Sequence, residues 1–409
     1  MRGCDSHPGL PNALPGWWNG IHEGLKILWP YGLASSNLAL GTKSMDKKII
    51  ILLVVVILAA LGGAGAFFLF RQSRQNIPDQ PMPTPIENSS QEEIFDPYNL
   101  SWQQVSTTSV PWGVRDSHNL IVFKNKLWLI GGLDATKVTT NNNPAYESAD
   151  YFNDIWSSED GIHWKLEKEH ADFPPMRSVS IIEYKGALYM VGGWGPDVGY
   201  RNGIWKSEDG INWKQIKKNP NFPRREGQKL VLFNGKVWQL GGVNYAGRQT
   251  FNDVWYTEDF FNWELATSNA PWAQRWDHDV AELNGVLYLV GGMGFKNTGF
   301  DDVWKSEDGI NWTLAKSKAP FGKKQGHNLI SYRNYLWLVG GMDAITGEDS
   351  GNTWFTKDGV DWQKIREEGL WSGREDHSVA VFKDKIITTG GMSADFKWHN
   401  DVWISILKK

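Results

Sequence analysis

The chain has 409 residues, 41% of them hydrophobic, and 42 Lys and Arg stand against 46 Asp and Glu for a formal charge of −4. So even a balance gives no footing for nucleic acid or any other polyanion as a general partner. Cys4 is the only cysteine, which excludes a disulfide within the chain and leaves the redox compartment unstated.

Residues 1–44 mix glycine, proline and tryptophan without periodicity, and Met45-Asp46-Lys47-Lys48 opens as a membrane-targeted protein would. The expectation is a true start at Met45, with 1–44 outside the mature protein. From Ile49 to Phe70 the chain is unbroken apolar and small residues, with Lys47 and Lys48 before it and Arg71 and Arg74 after. A run of this length spans a bilayer as a helix. Residues 45–70 are therefore read as a transmembrane signal anchor, single-pass, with the larger C-terminal part of the chain on the extracytoplasmic side. A cleaved signal peptide is the rival, because the lysines, the apolar run and Ala64-Gly65-Ala66 share that layout. Phe67 to Phe70 favours the anchor by extending the apolar length. Residues 71–98, rich in Gln, Pro, Asn and Ser around PDQPMPTP, cannot support a packed core and read as a linker.

Beyond the linker the sequence repeats. Double glycines stand at 131–132, 192–193, 241–242, 291–292, 340–341 and 390–391, spaced by 49 or 50 residues after a first interval of 61. Each is preceded by two short alternating strands, as in Val280–Leu283 and Val286–Val290 about the hairpin pair Asn284-Gly285. A third strand ends each time on an aromatic, Trp156, Trp205, Trp255, Trp304, Trp354 and Trp403. A second tryptophan follows the first five of these at Trp164, Trp213, Trp263, Trp312 and Trp362, after a Ser-x-Asp-Gly type of turn. Four strands at a period near fifty predict an all-β, six-bladed β-propeller.

The apolar strand, double glycine, variable loop and Asn-Asp-Val-Trp of this period resemble the kelch repeat, from Trp102 to the C-terminus. That resemblance implies a kelch-type propeller over 99–409, in the superfamily of the galactose oxidase central domain, acting as a monomer. The Ser-Glu-Asp-Gly-Ile-Asn-Trp turn also has a weaker likeness to the Asp-box of sialidase-type propellers.

Blade six has three strands before the chain stops, and the orphan strand 101–106 has the sequence of a fourth. Their pairing would close the ring and remove two exposed edges. In an antiparallel blade with strands a to d, the d-to-a and b-to-c loops share one face. The b-to-c loop has 20 residues in blade one, Leu133 to Phe152, against 8 or 9 elsewhere. On the same face, at the start of strand a, a second pattern recurs: Arg115 and His118, Arg225 and Gln228, Arg275 and His278, Lys324 and His327, Arg374 and His377. Blade two departs, with Met176 at the counted position, Arg177 one place off and no histidine. Repetition around an axis predicts a cationic funnel from Arg115, His118, Arg225, Arg275, His278, Lys324, His327, Arg374 and His377. The competing reading pairs each cation with an acidic neighbour such as Asp116, Glu226, Asp277 or Asp376, and has each histidine cap a carbonyl between blades.

Metal is not expected, since histidines on separate blades stand too far apart for one ion. The copper radical oxidase chemistry of kelch-type propellers needs a cysteine that the repeats lack, and no cofactor is implied. The leading functional reading is a membrane-anchored binding module for a glycan, peptide or protein. Trp112, Trp272, Trp276 and Trp371, on the same face, add weight to a sugar. The alternative is a carbohydrate-active enzyme resembling the sialic acid epimerase type of kelch propeller, for which the repeats offer no uniquely placed catalytic residue.

Overall fold

The computed structural model describes residues 95–105, 110–140, 143–348, 350–366 and 371–408. The expected start at Met45, the anchor at 45–70 and all of the linker up to residue 94 lie outside these. Among the described residues no helix is long and apolar enough to cross a membrane.

Among the described residues six four-stranded antiparallel sheets form the blades of a propeller, each joining a to b to c to d in sequence order except the last. Blade one uses Asn119–Phe123, Lys126–Asp134, Asp150–Ser158 and Trp164–Lys168; blade four uses Asp279–Leu283, Val286–Val290, Val303–Ser306 and Thr313–Lys316. The a-to-b turn of blade four is the expected one. Asn284 and Gly285 both take positive φ (52° and 80°), and Leu283 pairs with Val286 across them.

Blade six takes its fourth strand from the other end of the chain. Leu100–Gln104 runs antiparallel to Val402–Leu407, with Trp102 opposite Ser405, and Val105 N–H donates to the Val402 carbonyl (3.0 Å). An aromatic pair confirms that Trp102 fills a strand-d position. In other blades the aromatic leading into strand a meets the tryptophan opening strand d, as in Trp272 with Trp312 at 6.3 Å and Phe321 with Trp362 at 5.1 Å. In blade six the partners are Trp371 and Trp102, at 5.9 Å. The chain is packed before the expected linker ends, since Phe95 lies against Tyr332 and Trp337 and Tyr98 against Phe355. Two half-buried aromatics packed on blade five offset the entropy of ordering this short approach.

Apolar side chains of strands a, b and c fill the wedges between neighbouring blades, for example Leu287, Leu289 and Trp312 with Val254 and Trp238 of the blade before. Trp112, Trp272 and Trp371 belong to these wedges and are 1–2% exposed, so three of the four tryptophans expected to face a ligand are core. On the opposite face the Ser-x-Asp-Gly turns are self-contained. Ser306 Oγ accepts from Gly309 N–H (2.9 Å), and Asp308 Oδ1 accepts from Ile310 and Asn311 N–H (2.8 and 2.7 Å). Burial opposes the charge on Asp308, but these donors outweigh it and hold its carboxyl below the usual range.

Candidate functional site

The double glycine decides what reaches the axis. Its second member has a φ of 89–106° in every blade, and a Cβ there would come within 2.5–3.0 Å of one carbonyl on the approach to strand a. Those carbonyls belong to Asp116, Arg177, Glu226, Trp276, Gln325 and Glu375. Each of these residues is bridged antiparallel to the one after its own double glycine, as Asp116 is to Leu133 with both bonds at 3.1 Å. Sixfold repetition therefore sets six side chains in a ring, and all six line one cavity of about 660 Å3.

The next residue in each blade takes a left-handed conformation: Ser117, Ser178, Gly227, Asp277, Gly326 and Asp376, with φ between 49° and 64°. Their backbones are joined from blade to blade. Ser117 N–H donates to Asp376 O (2.9 Å), Asp376 N–H to Gly326 O (2.9 Å), and Gly326 N–H to Asp277 O (3.1 Å). Ser178 and Gly227 N–H continue the chain to Ser117 and Ser178, each at 3.3 Å. This collar is the floor of the funnel. A second cavity of about 270 Å3 lies against its other side, among Lys229, Asp279 and Asn328.

The residues expected to make the funnel cationic are brought to this level but turned away from it. Arg115, Arg225, Arg275 and Arg374 are 0–2% exposed. Each grips, with two bonds, the aspartate two residues before the strand-c tryptophan of its own blade: Arg275 Nη1 and Nη2 reach Asp302 Oδ1 and Oδ2 at 2.6 and 2.9 Å. Arg115 with Asp154, Arg225 with Asp253 and Arg374 with Asp401 repeat the arrangement. Remaining donors go to backbone carbonyls, including the first glycine of the pair, as in Arg275 Nη1 to Gly291 O (2.7 Å). The same aspartate accepts from the strand-c tryptophan, Trp304 Nε1 to Asp302 Oδ2 at 2.8 Å. Each arginine thus ties the approach to strand a onto strand c, with partners other than Asp116, Glu226, Asp277 and Asp376. Lys324, 5% exposed, stands at the same place in blade five.

The histidines are brackets between blades. His118 Nε2 lies 2.8 Å from Thr389 Oγ1, and Gln228, the equivalent residue of blade three, donates from Nε2 to Val191 O (2.8 Å). His278, His327 and His377 pack over Gly241, Gly291 and Gly340 of the preceding blade. Burial, reinforced by neighbouring cations, pushes His118 and His327 down to about 3 and His278 and His377 well below the ordinary value. Neutral imidazoles suit that wedge.

What lines the funnel is acidic and aromatic. Asp116, Glu226, Asp277, Glu375 and Asp376 face it from five positions, and Arg177 is the only cation among the described lining residues. Burial, then the Asp376 charge, pushes Asp116 up to about 8. Burial and Asp376 likewise carry Glu375 well above its usual range, and burial does the same to Asp277, with Asp376 and Glu226 adding to it. Tyr146, Trp194, Tyr200, Tyr245 and Trp276 supply the walls. Tyr146 comes from the long loop of blade one, and its hydroxyl lies 3.8 Å from Met392 Sδ of the adjacent blade six.

Compared with models of known protein families and with curated protein sequences, the chain matches none.

Blade two makes the funnel asymmetric. Its slot for the buried arginine holds Met176, and the position of the aspartate partner is Gly203. The cation appears one residue later as Arg177, bidentate on Glu226 (Nε to Oε2 at 2.9 Å, Nη2 to Oε1 at 3.1 Å), with the rings of Tyr146 and Trp194 at 5.1 and 5.0 Å. Burial works against its charge, but Glu226 more than compensates. Blade two, which the sequence already sets apart, thus places in the funnel a cation that no other blade supplies among the described lining residues. The paired change, Met for Arg and Gly for Asp within one repeat, is the sequence signal for it.

Proposed function

We propose that this chain is a kelch-type propeller serving as a binding module on the extracytoplasmic side of a membrane, held there by 45–70, and that it takes a glycan in the axial funnel. The observation that carries this reading is the lining itself. Flat aromatic faces beside hydrogen-bonding carboxyls and one oriented guanidinium are what a polyhydroxylated ring needs for stacking and for its hydroxyls. A peptide or protein ligand is less well matched by a cavity that narrows onto a backbone collar.

A second reading, a carbohydrate-active enzyme, is favoured by Asp116. A buried carboxyl that titrates near 8 keeps its proton at neutral pH and is suited to general acid work. The two readings separate by experiment. Calorimetric titration of the full chain with a panel of neutral, acidic and basic oligosaccharides is expected to find a binder whose affinity falls at least tenfold in Trp276→Ala. Absence of any sugar ligand, or indifference to Trp276→Ala and Trp194→Ala, would defeat the glycan reading. Turnover of the bound sugar in an NMR time course, abolished by Asp116→Asn, would move the assignment to the enzyme.

A further inference from the structure

The funnel holds more acceptors than it can satisfy. Asp116 is 2% exposed; its Oδ2 accepts from Trp398 Nε1 at 2.8 Å, while Oδ1 is buried at the cavity wall with no hydrogen-bond partner. Gln325 repeats the pattern, since Nε2 donates to Glu375 Oε2 (2.7 Å) and Oε1 accepts nothing. A buried acceptor left without a donor costs about 1–3 kcal/mol, more when it is charged, so such groups at a cavity mark where a ligand donor belongs.

Charge narrows the identity of that donor. Arg177 is committed to Glu226 and enclosed by two rings, and Lys229 acts from the other side of the collar, so Asp116, Glu375, Asp376 and Asp277 face the funnel with no cation of their own in direct contact among the described residues. The Asp376 charge raises the proton affinity of Asp116, Asp277 and Glu375, and Asp277 and Asp116 add to it at Glu375, as expected where carboxyls crowd one buried site. A hydroxyl would satisfy one lone pair without relieving the crowding, and a carboxylate ligand would worsen it. An ammonium brings three donors, no acceptor and a full positive charge, and the electron-rich faces of Tyr146, Tyr245 and Trp276 bordering the same cavity favour a cation as well.

We infer that the ligand of this funnel carries a primary amine, as an amino sugar does, with its ammonium seated between Asp116 Oδ1 and the Gln325–Glu375 pair. The inference rests on the glycan reading above for the rest of the ligand and adds the charge that the site selects.

The test is calorimetry on the full chain at pH 7.5 with a glucosamine tetramer, its fully N-acetylated counterpart, a tetragalacturonate, spermidine and calcium chloride. Expected is binding of the glucosamine tetramer at least tenfold tighter than the acetylated one and no detectable heat with the tetragalacturonate. Asp116→Asn, which keeps the acceptor for Trp398, and Glu375→Gln are each expected to erase that preference at least tenfold, at unchanged near-ultraviolet circular dichroism. Equal affinity for free and acetylated amines would overturn the inference while leaving the glycan reading intact. Spermidine binding that depends on Asp116, with no sugar bound, would keep the amine and remove the glycan. Calcium displacing the tetramer stoichiometrically would replace the amine by a metal ion, and an absence of heat with every ligand would end both proposals.

Discussion

Blade two and blade four share one plan and use one position in opposite ways. In blade four Arg275 is wholly buried, and its guanidinium is spent on Asp302, Gly291 and Ala273, so that it holds strand a to strand c. In blade two the same slot is filled by Met176 inside the hydrophobic wedge with Phe173 and Leu188, and the arginine moves one residue onward to face the axis. A one-residue displacement in an extended segment turns a side chain to the other side. The cation that is scaffold in one blade therefore faces the funnel in another and breaks the symmetry of the ring.

The largest effect that would break this comparison is on stability. Arg275→Ala leaves the Asp302 carboxylate without its partner and empties a wholly buried site, expected to cost about 3–5 kcal/mol, whereas Arg177→Ala leaves Glu226 at the wall of a cavity, where burial already favours its protonated form, and should cost about 1–2 kcal/mol. Urea unfolding of the two variants measures both. The double variant Arg275→Met with Asp302→Gly copies the solution of blade two and is expected to recover about half of the loss, because an apolar replacement for a buried pair is often nearly neutral. Equal costs for Arg275→Ala and Arg177→Ala would mean that the two arginines are not different in kind.

These pairs also show how far the sequence can be read. Blade number, strand limits and the closing strand at Trp102 are legible because hydrophobic alternation, hairpin turns and the double glycine repeat in register, and each is enforced locally. The direction of the Arg115-type side chains is not legible. Their partners, Asp154, Asp253, Asp302 and Asp401, lie 27–39 residues further on, within the Asn-Asp-Val-Trp motif that on its own reads only as a strand marker. Counting charges near an axis predicts a cationic mouth, and it takes the joint changes at Met176 with Gly203 and at Lys324 with Asn352 to disclose that arginine and aspartate are a unit. The acidic lining is hidden for the same reason, because pairing Asp116, Glu226, Asp277 and Asp376 with the nearest arginines overlooks that those arginines already have partners.

A smaller effect sharpens the contrast between buried pair and open funnel through pH. Burial and the neighbouring Asp376 lift Asp116 from an unfolded value near 3.8 to about 8, and Tyr146, Arg177 and Glu375 face the same group. The folded state then binds more protons than the unfolded chain between those values. Its contribution to stability is complete below about pH 4 and is lost as pH rises through about 8. A loss on the order of 1–3 kcal/mol between pH 5 and pH 9 is expected in thermal or urea unfolding. Asp116→Asn should flatten that dependence, while Asp302→Asn, in a pair that needs its charge, should not. A profile that rises with pH would show that the funnel carboxyls are ionised in the folded protein.

Blade five offers the smallest and most discriminating change. Lys324 stands where four blades have arginine, and the aspartate position is Asn352, so this blade carries a second, milder substitution of the same unit. One consequence is visible at the strand-c tryptophan. Trp304 and Trp403 donate to Asp302 and Asp401 at 2.8 Å, but the buried Nε1 of Trp354 has no acceptor. Lys324→Arg together with Asn352→Asp would supply the acceptor and the two-bonded pair at once, and is expected to stabilise the propeller by about 1 kcal/mol, close to the worth of one satisfied buried hydrogen bond. Lys324→Arg alone adds a guanidinium with no carboxylate to grip and should be neutral or destabilising, while Asn352→Asp alone meets only the single ammonium of Lys324 and should gain less than the double variant, so the double-mutant cycle isolates the coupling. Additive single effects would mean that the arginine and the aspartate act independently, and the separation drawn between scaffold arginines and Arg177 would lose its physical basis.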